Sequence, residues 1–402
     1  MKIGILTFHR PANFGANLQA YSSYRYFTSL GHDVKVINYI RDVDIKYKNN
    51  VVKTQIDAHI NFVEKKLPIT REVYTTEELQ ALVMEENFNA IAIGADAVWR
   101  SPVDDCVFFA KWLFECPDIA NIPVISMSAA HMGNGFMNIS NDKRRAIKDC
   151  LDKFTFISTR DTWTRDMINR DIFNGVEKVQ VINPDPVFML DKYNDEVWDS
   201  QGVCEAKKYY IMSLNANWDK GRMGKIHLNW FKKFKTIVNN HGYKLVELPI
   251  PEGVSGMPFD YTIPYPIDPL QWYLWIKNAK TYCGLRFHAI VSSISAGTPF
   301  FSIDSYGTCT RYTYLLQKLG FYKLAAKGDE NSKIRNILKD SRFEEYRIDS
   351  FIENLPAKRL FNMLEKVKEN EVKDLRDKFI NEYVNNMQQM LHTIEKGNEQ
   401  DA

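Results

Sequence analysis

The sequence predicts an α/β protein made of two Rossmann-like lobes. Three observations carry the prediction. Apolar, β-branched runs alternate with helical patterns from the first residue, as βαβ units around a parallel sheet require. The alternation loosens around Asn183–Gly202 into prolines, acids and a glycine, then resumes. A length of 402 residues suits two domains of about 150–200 residues each.

In the first block, Ile3–Phe8 reads as a buried strand. Leu18, Tyr21, Arg25 and Thr28 share one face of the following helix, which Gly31 ends. Val34–Ile40 is the next strand. Residues 41–85 are less regular and are expected to supply acceptor loops. Ala90–Gly94, Ile122–Met127, Phe154–Thr159 and Val179–Ile182 follow as strands, each closed by turn or cap residues. The second block opens with Tyr209–Leu214. It continues through a helix near Ile226–Asn239, strand Lys244–Leu248, a helix near Asp268–Ala279, strand Thr281–Cys283, a helix His288–Ala296 and strand Pro299–Ile303. Near the end, Val372, Leu375, Phe379, Tyr383, Met387, Met390 and Ile394 recur at helical spacing among mixed charges. That stripe is expected to pack on the chain's own domains or on a second subunit, which leaves a homo-oligomer open. The expected divisions are 1–190, 206–345 and a helical segment 346–402. The two lobes are expected to enclose a cleft, with ligands beyond the carboxyl ends of the strands.

Composition excludes several classes. Fifty-two Lys and Arg stand against 50 Asp and Glu, a formal charge of +2; a nucleic-acid surface needs a basic excess to displace counterions. No stretch of 18 apolar residues occurs, and the amino end lacks a signal-peptide core. Cys106, Cys116, Cys150, Cys204, Cys283 and Cys309 form no CxxC and match neither a zinc ribbon nor a disulfide framework. Free thiols in a reducing cytoplasm are the expected state. No metal cluster or cofactor motif is present: Walker A, HExxH and GxSxG are all missing.

Four stations at strand ends carry the candidate chemistry. Asn13-Phe14-Gly15-Ala16-Asn17 enters the first helix with small residues, a pattern that offers backbone N–H groups to an anion or hydroxyl; a capped turn with Asn13 as the cap fits equally. In Gly94-Ala95-Asp96-Ala97-Val98-Trp99, Asp96 is placed to take a proton from a sugar hydroxyl and Trp99 to stack on a sugar face. An N-cap and a core indole are the alternative. In Ser158-Thr159-Arg160-Asp161, Arg160 is either an anion binder or the partner of Asp161 in a turn-fixing salt bridge. In Cys283-Gly284-Leu285-Arg286-Phe287-His288, Arg286 can clamp a carboxylate or phosphate and His288 can exchange a proton near neutral pH. Ser305-Tyr306-Gly307-Thr308 with Arg311, and Lys220 with Arg222, are further candidates for an anion pocket.

Taken in order over roughly residues 1–310, these stations resemble the polysaccharide pyruvyl transferase family. The resemblance rests on Ile3–Phe8, Asn13–Tyr21, Gly31-His32-Asp33-Val34, Ile93–Trp99, Ser158–Asp161, Asp185-Pro186-Val187 and Arg286-Phe287-His288-Ala289. The chain departs from the family pattern at Ala97, where Gln is usual, and at Ala95, where Ser or Thr is frequent. The resemblance implies a two-lobed fold like the GT-B glycosyltransferases. It also implies transfer of pyruvate from phosphoenolpyruvate to a sugar of a cell-surface polysaccharide or its precursor, the acceptor being a sugar or a lipid-linked saccharide, and giving a cyclic ketal. Peripheral membrane contact is compatible with such an acceptor. In that chemistry His288 is the expected general acid and Asp96 the base. Arg286 would bind the donor with Arg160 or Arg311, Asn13 and Gly15, and the acceptor would meet Trp99 and Asn17. No cofactor is implied. The alternatives are a GT-B-like glycosyltransferase using a nucleotide sugar, or a non-catalytic homologue that binds a saccharide.

Overall fold

The computed structural model describes residues 1–41, 51–99, 106–131, 136, 139–221, 223–303, 312, 315–316, 319, 332–339, 342–348 and 351–400. The described residues fall into two compact units, one within Met1–Lys48, His59–Tyr193 and Lys378–Ala402, the other within Asn49–Ala58 and Asn194–Asp377. Each is a Rossmann-like layer of parallel strands flanked by helices, as expected.

The first unit contains β1 (Lys2–Leu6), α1 (Phe14–Ser29) and β2 (Asp33–Val36). Next come α2 (Lys53–Lys66), whose first residues fall in the second unit, and α3 (Thr76–Glu86), β3 (Ala90–Asp96), α4 (Lys111–Phe114) and β4 (Val124–Ala129). It is completed by α5 (Asn141–Leu151), β5 (Phe156–Thr159), α6 (Thr162–Met167), β6 (Val181–Ile182) and α7 (Leu190–Tyr193). The strands lie in the order β2-β1-β3-β4-β5-β6, and every pairing is parallel. All seven residues of β3 and all six of β4 are buried. That is why both read as unbroken apolar runs: a central parallel strand is covered on both faces. The order reverses between β1 and β3, so the crevice beyond their carboxyl ends is the natural ligand position in this unit.

The second unit contains β7 (Tyr209–Ser213), α8 (Gly224–Asn240), β8 (Lys244–Glu247), β9 (Tyr261–Thr262), α9 (Pro269–Asn278) and β10 (Thr281–Gly284). After these come α10 (Phe287–Ser295), β11 (Phe300–Ile303), α11 (Lys333–Leu338), β12 (Arg347–Ile348), α12 (Ala357–Leu364) and the start of α13 (Glu369–Gln400). Read from β9, the order is β9-β8-β7-β10-β11-β12. This is the dinucleotide-fold order 3-2-1-4-5-6, with its reversal between β7 and β10. Asp268 starts α9 by accepting the Leu270 and Gln271 N–H groups, with Pro269 at the first helical position.

Several local expectations change. The buried side of α1 includes Tyr26 and Phe27, whereas Thr28 is exposed. The described part of 41–85 holds two helices, and α3 begins with a capping box between Thr75 and Glu78. The final stripe packs on the chain itself: Phe379 stacks on Phe188 at 4.5 Å, and Tyr383 meets Tyr26 edge-on at 5.1 Å. Among the described residues no helix is long and apolar enough to cross a membrane.

Candidate active site

In the first unit, the loop after β1 is tied down by buried amides. Asn13 caps α1, its Oδ1 accepting the Gly15 N–H at 3.0 Å and the Ala16 N–H at 3.4 Å. The amide expected to greet a donor anion at Gly15 is therefore engaged by the cap. Asn17 is fully buried; its Nδ2 donates to the His9 carbonyl at 2.6 Å, and its Oδ1 accepts from His59 Nδ1. It braces the loop instead of facing an acceptor. Burial pushes the His59 imidazole down to about 3. Gln19 donates to Thr7 Oγ1 at 2.8 Å and accepts the Ala95 N–H at 3.1 Å, joining the loop that follows β1 to the end of β3 across the reversal point. His9 is pinned to the Thr7 carbonyl and to Asn38 Oδ1 at 3.0 and 3.1 Å. Sequence reasoning passed over Gln19, His9 and His59. The available signal was Asn17-Leu18-Gln19, two amides just behind a glycine in the first turns of a helix.

The end of β3 has a demanding backbone. Gly94 has φ +118°, and a Cβ there would strike the Met127 carbonyl; only glycine fits. Asp96 has φ +72°, a left-handed conformation uncommon outside glycine. Its Oδ1 accepts the Ala97 N–H at 2.7 Å and lies 3.7 Å from Arg160 Nη1. Arg160 Nη1 in turn donates to Asp185 Oδ2 at 3.0 Å, and the two side chains are 1% and 0% exposed. Asp185 also accepts the Val187 N–H at 3.0 Å, capping the short turn Pro186–Met189. The guanidinium partner is thus Asp185, while Asp161 caps α6 through the Thr164 N–H. Three stations read separately in the sequence meet in this one cluster. Trp99 is a correction: its indole is fully buried, stacked on Phe109 at 5.5 Å, with Nε1 donating to the Phe108 carbonyl. Sugar stacking needs an open ring face, and Trp99 is a core residue.

In the second unit, β10 ends at Gly284, where a Cβ would collide with the Ser213 and Tyr282 hydroxyls. Arg286 occupies the N-cap position of α10 without a side-chain cap bond. It forms an ion pair at 2.7 Å with Glu252, from the turn after β8, each side chain more than a third exposed. Glu252 was not legible as a partner; it stands in Pro251-Glu252-Gly253, an unremarked turn. His288 lies half-buried in the first turn of α10, its ring 5.0 Å from that of Phe287. Across the reversal point, the loop after β7 presents exposed Asn215, Asn217 and Lys220. Arg311, Arg222 and Ser305–Thr308 lie outside the described residues. Asp96 belongs to the first unit and His288 to the second. Among the described residues, no group of three or more His, Cys, Asp or Glu side chains is arranged to hold a metal.

A family model described as polysaccharide pyruvyl transferase matches residues 13–306. No curated protein matches the sequence. Among solved structures, the chain is similar to UDP-GlcNAc 2-epimerase from Methanocaldococcus jannaschii, with TM-score 0.52 and 11% identity over 91% of this chain and 92% of that one. The epimerase from Neisseria meningitidis, bound to UDP-GlcNAc, gives TM-score 0.48 and 12% identity over 96% and 100%. Spinosyn rhamnosyltransferase gives 0.49 and 8% over 98% and 100%. The likeness establishes the fold, two Rossmann-like lobes of the GT-B type. The expected phosphoenolpyruvate donor, pyruvate ketal and pyruvyl transferase activity are not carried forward: the structure similar at TM-score 0.52 is that of an enzyme named for UDP-GlcNAc.

Proposed function

The chain belongs to the polysaccharide pyruvyl transferase family, and from that membership joined to a GT-B-type fold we propose that it transfers a sugar from a nucleotide sugar to a saccharide acceptor. The observation that carries this reading is the strand order of the second sheet, which sets Arg286 and His288 beyond the carboxyl end of β10, beside the reversal point. A sugar nucleotide presents a diphosphate there. Arg286 offers it a fork of N–H donors, and the first-turn amides of α10 add the positive end of a helix. As the acceptor hydroxyl bonds to the anomeric carbon, the carbon–oxygen bond to the diphosphate breaks and negative charge grows on the leaving group. Arg286 and His288 would stabilise that charge. The proton released by the acceptor hydroxyl passes to the departing diphosphate or to water. The described cysteines are free thiols, which supports a reducing cytoplasmic setting.

The test is a thermal-shift series with UDP, UDP-GlcNAc, thymidine diphosphate and, as control, phosphoenolpyruvate. A nucleotide at a hundredfold excess over its Kd adds about 2.7 kcal/mol of stability, and Arg286→Ala should remove the response. A response to phosphoenolpyruvate alone, or to none of the nucleotides, would overturn the proposal.

A further inference from the structure

The second unit buries an imidazole that the donor chemistry does not use. His227, in the first turn of α8, has a side chain 6% exposed. Its Nδ1 lies 2.6 Å from the Trp218 carbonyl oxygen. A carbonyl has no proton to give, so Nδ1 donates. Its Nε2 lies 2.6 Å from Glu353 Oε1, on a carboxylate 2% exposed. The ring nitrogen is not aligned with that oxygen for a hydrogen bond, so the contact is one of close packing and charge. The Trp218 indole lies flat on the imidazole, 4.2 Å between centres and 9° from parallel.

Trp218 is the middle of the loop that follows β7. The same loop is held on its other side, where Asn217 N–H donates to the Val254 carbonyl at 3.0 Å and Asp219 N–H to the Ser255 carbonyl at 3.1 Å. The Asp219 carboxylate covers Gly256 so closely that a Cβ there would clash. Glu353 comes from the turn Ile352–Asn354, and Trp230 Nε1 donates to the Leu355 carbonyl at 2.7 Å just beyond it. A buried acid from a distant part of the chain thus fixes a ring that fixes a loop.

We propose that His227, held by Glu353, is a positioning residue for donor binding. It sets the backbone of residues 214–221, one wall of the crevice between β7 and β10 whose other wall carries Arg286 and His288. The pinning rests on the contacts themselves; its consequence for the donor rests on the nucleotide-sugar reading. Glu353→Gln keeps the shape but offers a neutral amide, so His227 loses the charged neighbour packed against it.

Hydrogen exchange read by mass spectrometry tests the pinning. Amides of 214–221 should exchange about tenfold faster in Glu353→Gln, with β10 and α10 unchanged. Unaltered exchange in 214–221, or acceleration spread through the whole unit, would refute a positioning role. The wild-type protein gives an independent readout that survives a variant that fails to fold. With ¹⁵N-labelled histidine, the Nδ1–H of His227, held by the Trp218 carbonyl, should appear as a slowly exchanging signal, and its absence would overturn the arrangement. The donor step is read with UDP: Glu353→Gln should raise its Kd about tenfold while the ligand-free melting point moves little, and an unchanged Kd refutes the step. If wild type itself ignores UDP and the other nucleotides, the donor reading fails and takes this step with it, while hydrogen exchange still decides the pinning.

Discussion

Replacing Arg160 by leucine removes the cation that two buried carboxylates share. Arg160 Nη1 stands 3.0 Å from Asp185 Oδ2 and 3.7 Å from Asp96 Oδ1, and the three side chains are 1%, 0% and 11% exposed. After the substitution Asp185 still caps Val187, but as an enclosed charge without a counterion. Breaking a buried pair from one side costs about 3–5 kcal/mol. For a unit of this size each kcal/mol moves the melting point by ~2–4 °C, so the first unit should melt about 6–20 °C lower. The measurement is calorimetry on ligand-free protein, and that choice separates two accounts. An arginine poised to clamp a donor would lose ligand affinity and leave apo stability nearly intact. A double variant, Arg160→Leu with Asp185→Leu, should recover much of the loss, because a buried ion pair replaced as a whole by apolar groups is often neutral. Melting of Arg160→Leu within ~2 °C of wild type would refute the reasoning.

Three further outcomes are expected. Glu252→Gln frees Arg286 from an exposed ion pair. Such pairs contribute up to about 1 kcal/mol, so UDP should bind about two- to fivefold tighter by calorimetry, and weaker binding would mean that Glu252 helps hold the ligand. Gly284→Ala drives a methyl into the Ser213 and Tyr282 hydroxyls; overpacking of this kind costs about 1–3 kcal/mol and should lower the urea midpoint without changing the slope. His59, pushed by burial from 6.5 to about 3, refuses a proton that the unfolded chain accepts. Stability should therefore be complete above pH 6.5 and fall as the pH drops from there toward 3, by at most ~1.4 kcal/mol per pH unit; His59→Gln should flatten that limb in acid titrations.

The strands were legible because the central ones are buried on both faces, so β3, β4, β7 and β10 announce themselves as short apolar runs. Strands β9 and β12 are two residues each and have no period to read. Helix α3 was hidden in a polar stretch, although the Thr75–Glu78 capping box was there to be found. At the site, the sequence located polar residues at strand ends but could not pair them. Arg160 was read with its neighbour Asp161, yet successive side chains leaving an extended strand point to opposite faces, and Asp161 is extended at φ −148°. The true partner lies 25 residues on. Arg286 likewise finds Glu252 34 residues away. Such pairs are made by the order of strands in the sheet, which local patterns do not encode.

That difference explains why the family could be read correctly while the donor was not. Much of the resemblance in the first unit falls on Asp96, Arg160 and Asp185, and these side chains turn out to bind one another. Their charges are spent on holding the ends of β3 and β5 and the turn at Pro186 in place, so their types identify the scaffold with little bearing on the ligand. Arg286 and His288 differ in kind. One holds a partly exposed ion pair with Glu252 and the other sits half-buried at a helix start, positions from which a side chain can turn toward a ligand. Donor identity is therefore a question for the second unit, where, on our proposal, the loop after β7 held by His227 bounds what Arg286 can reach.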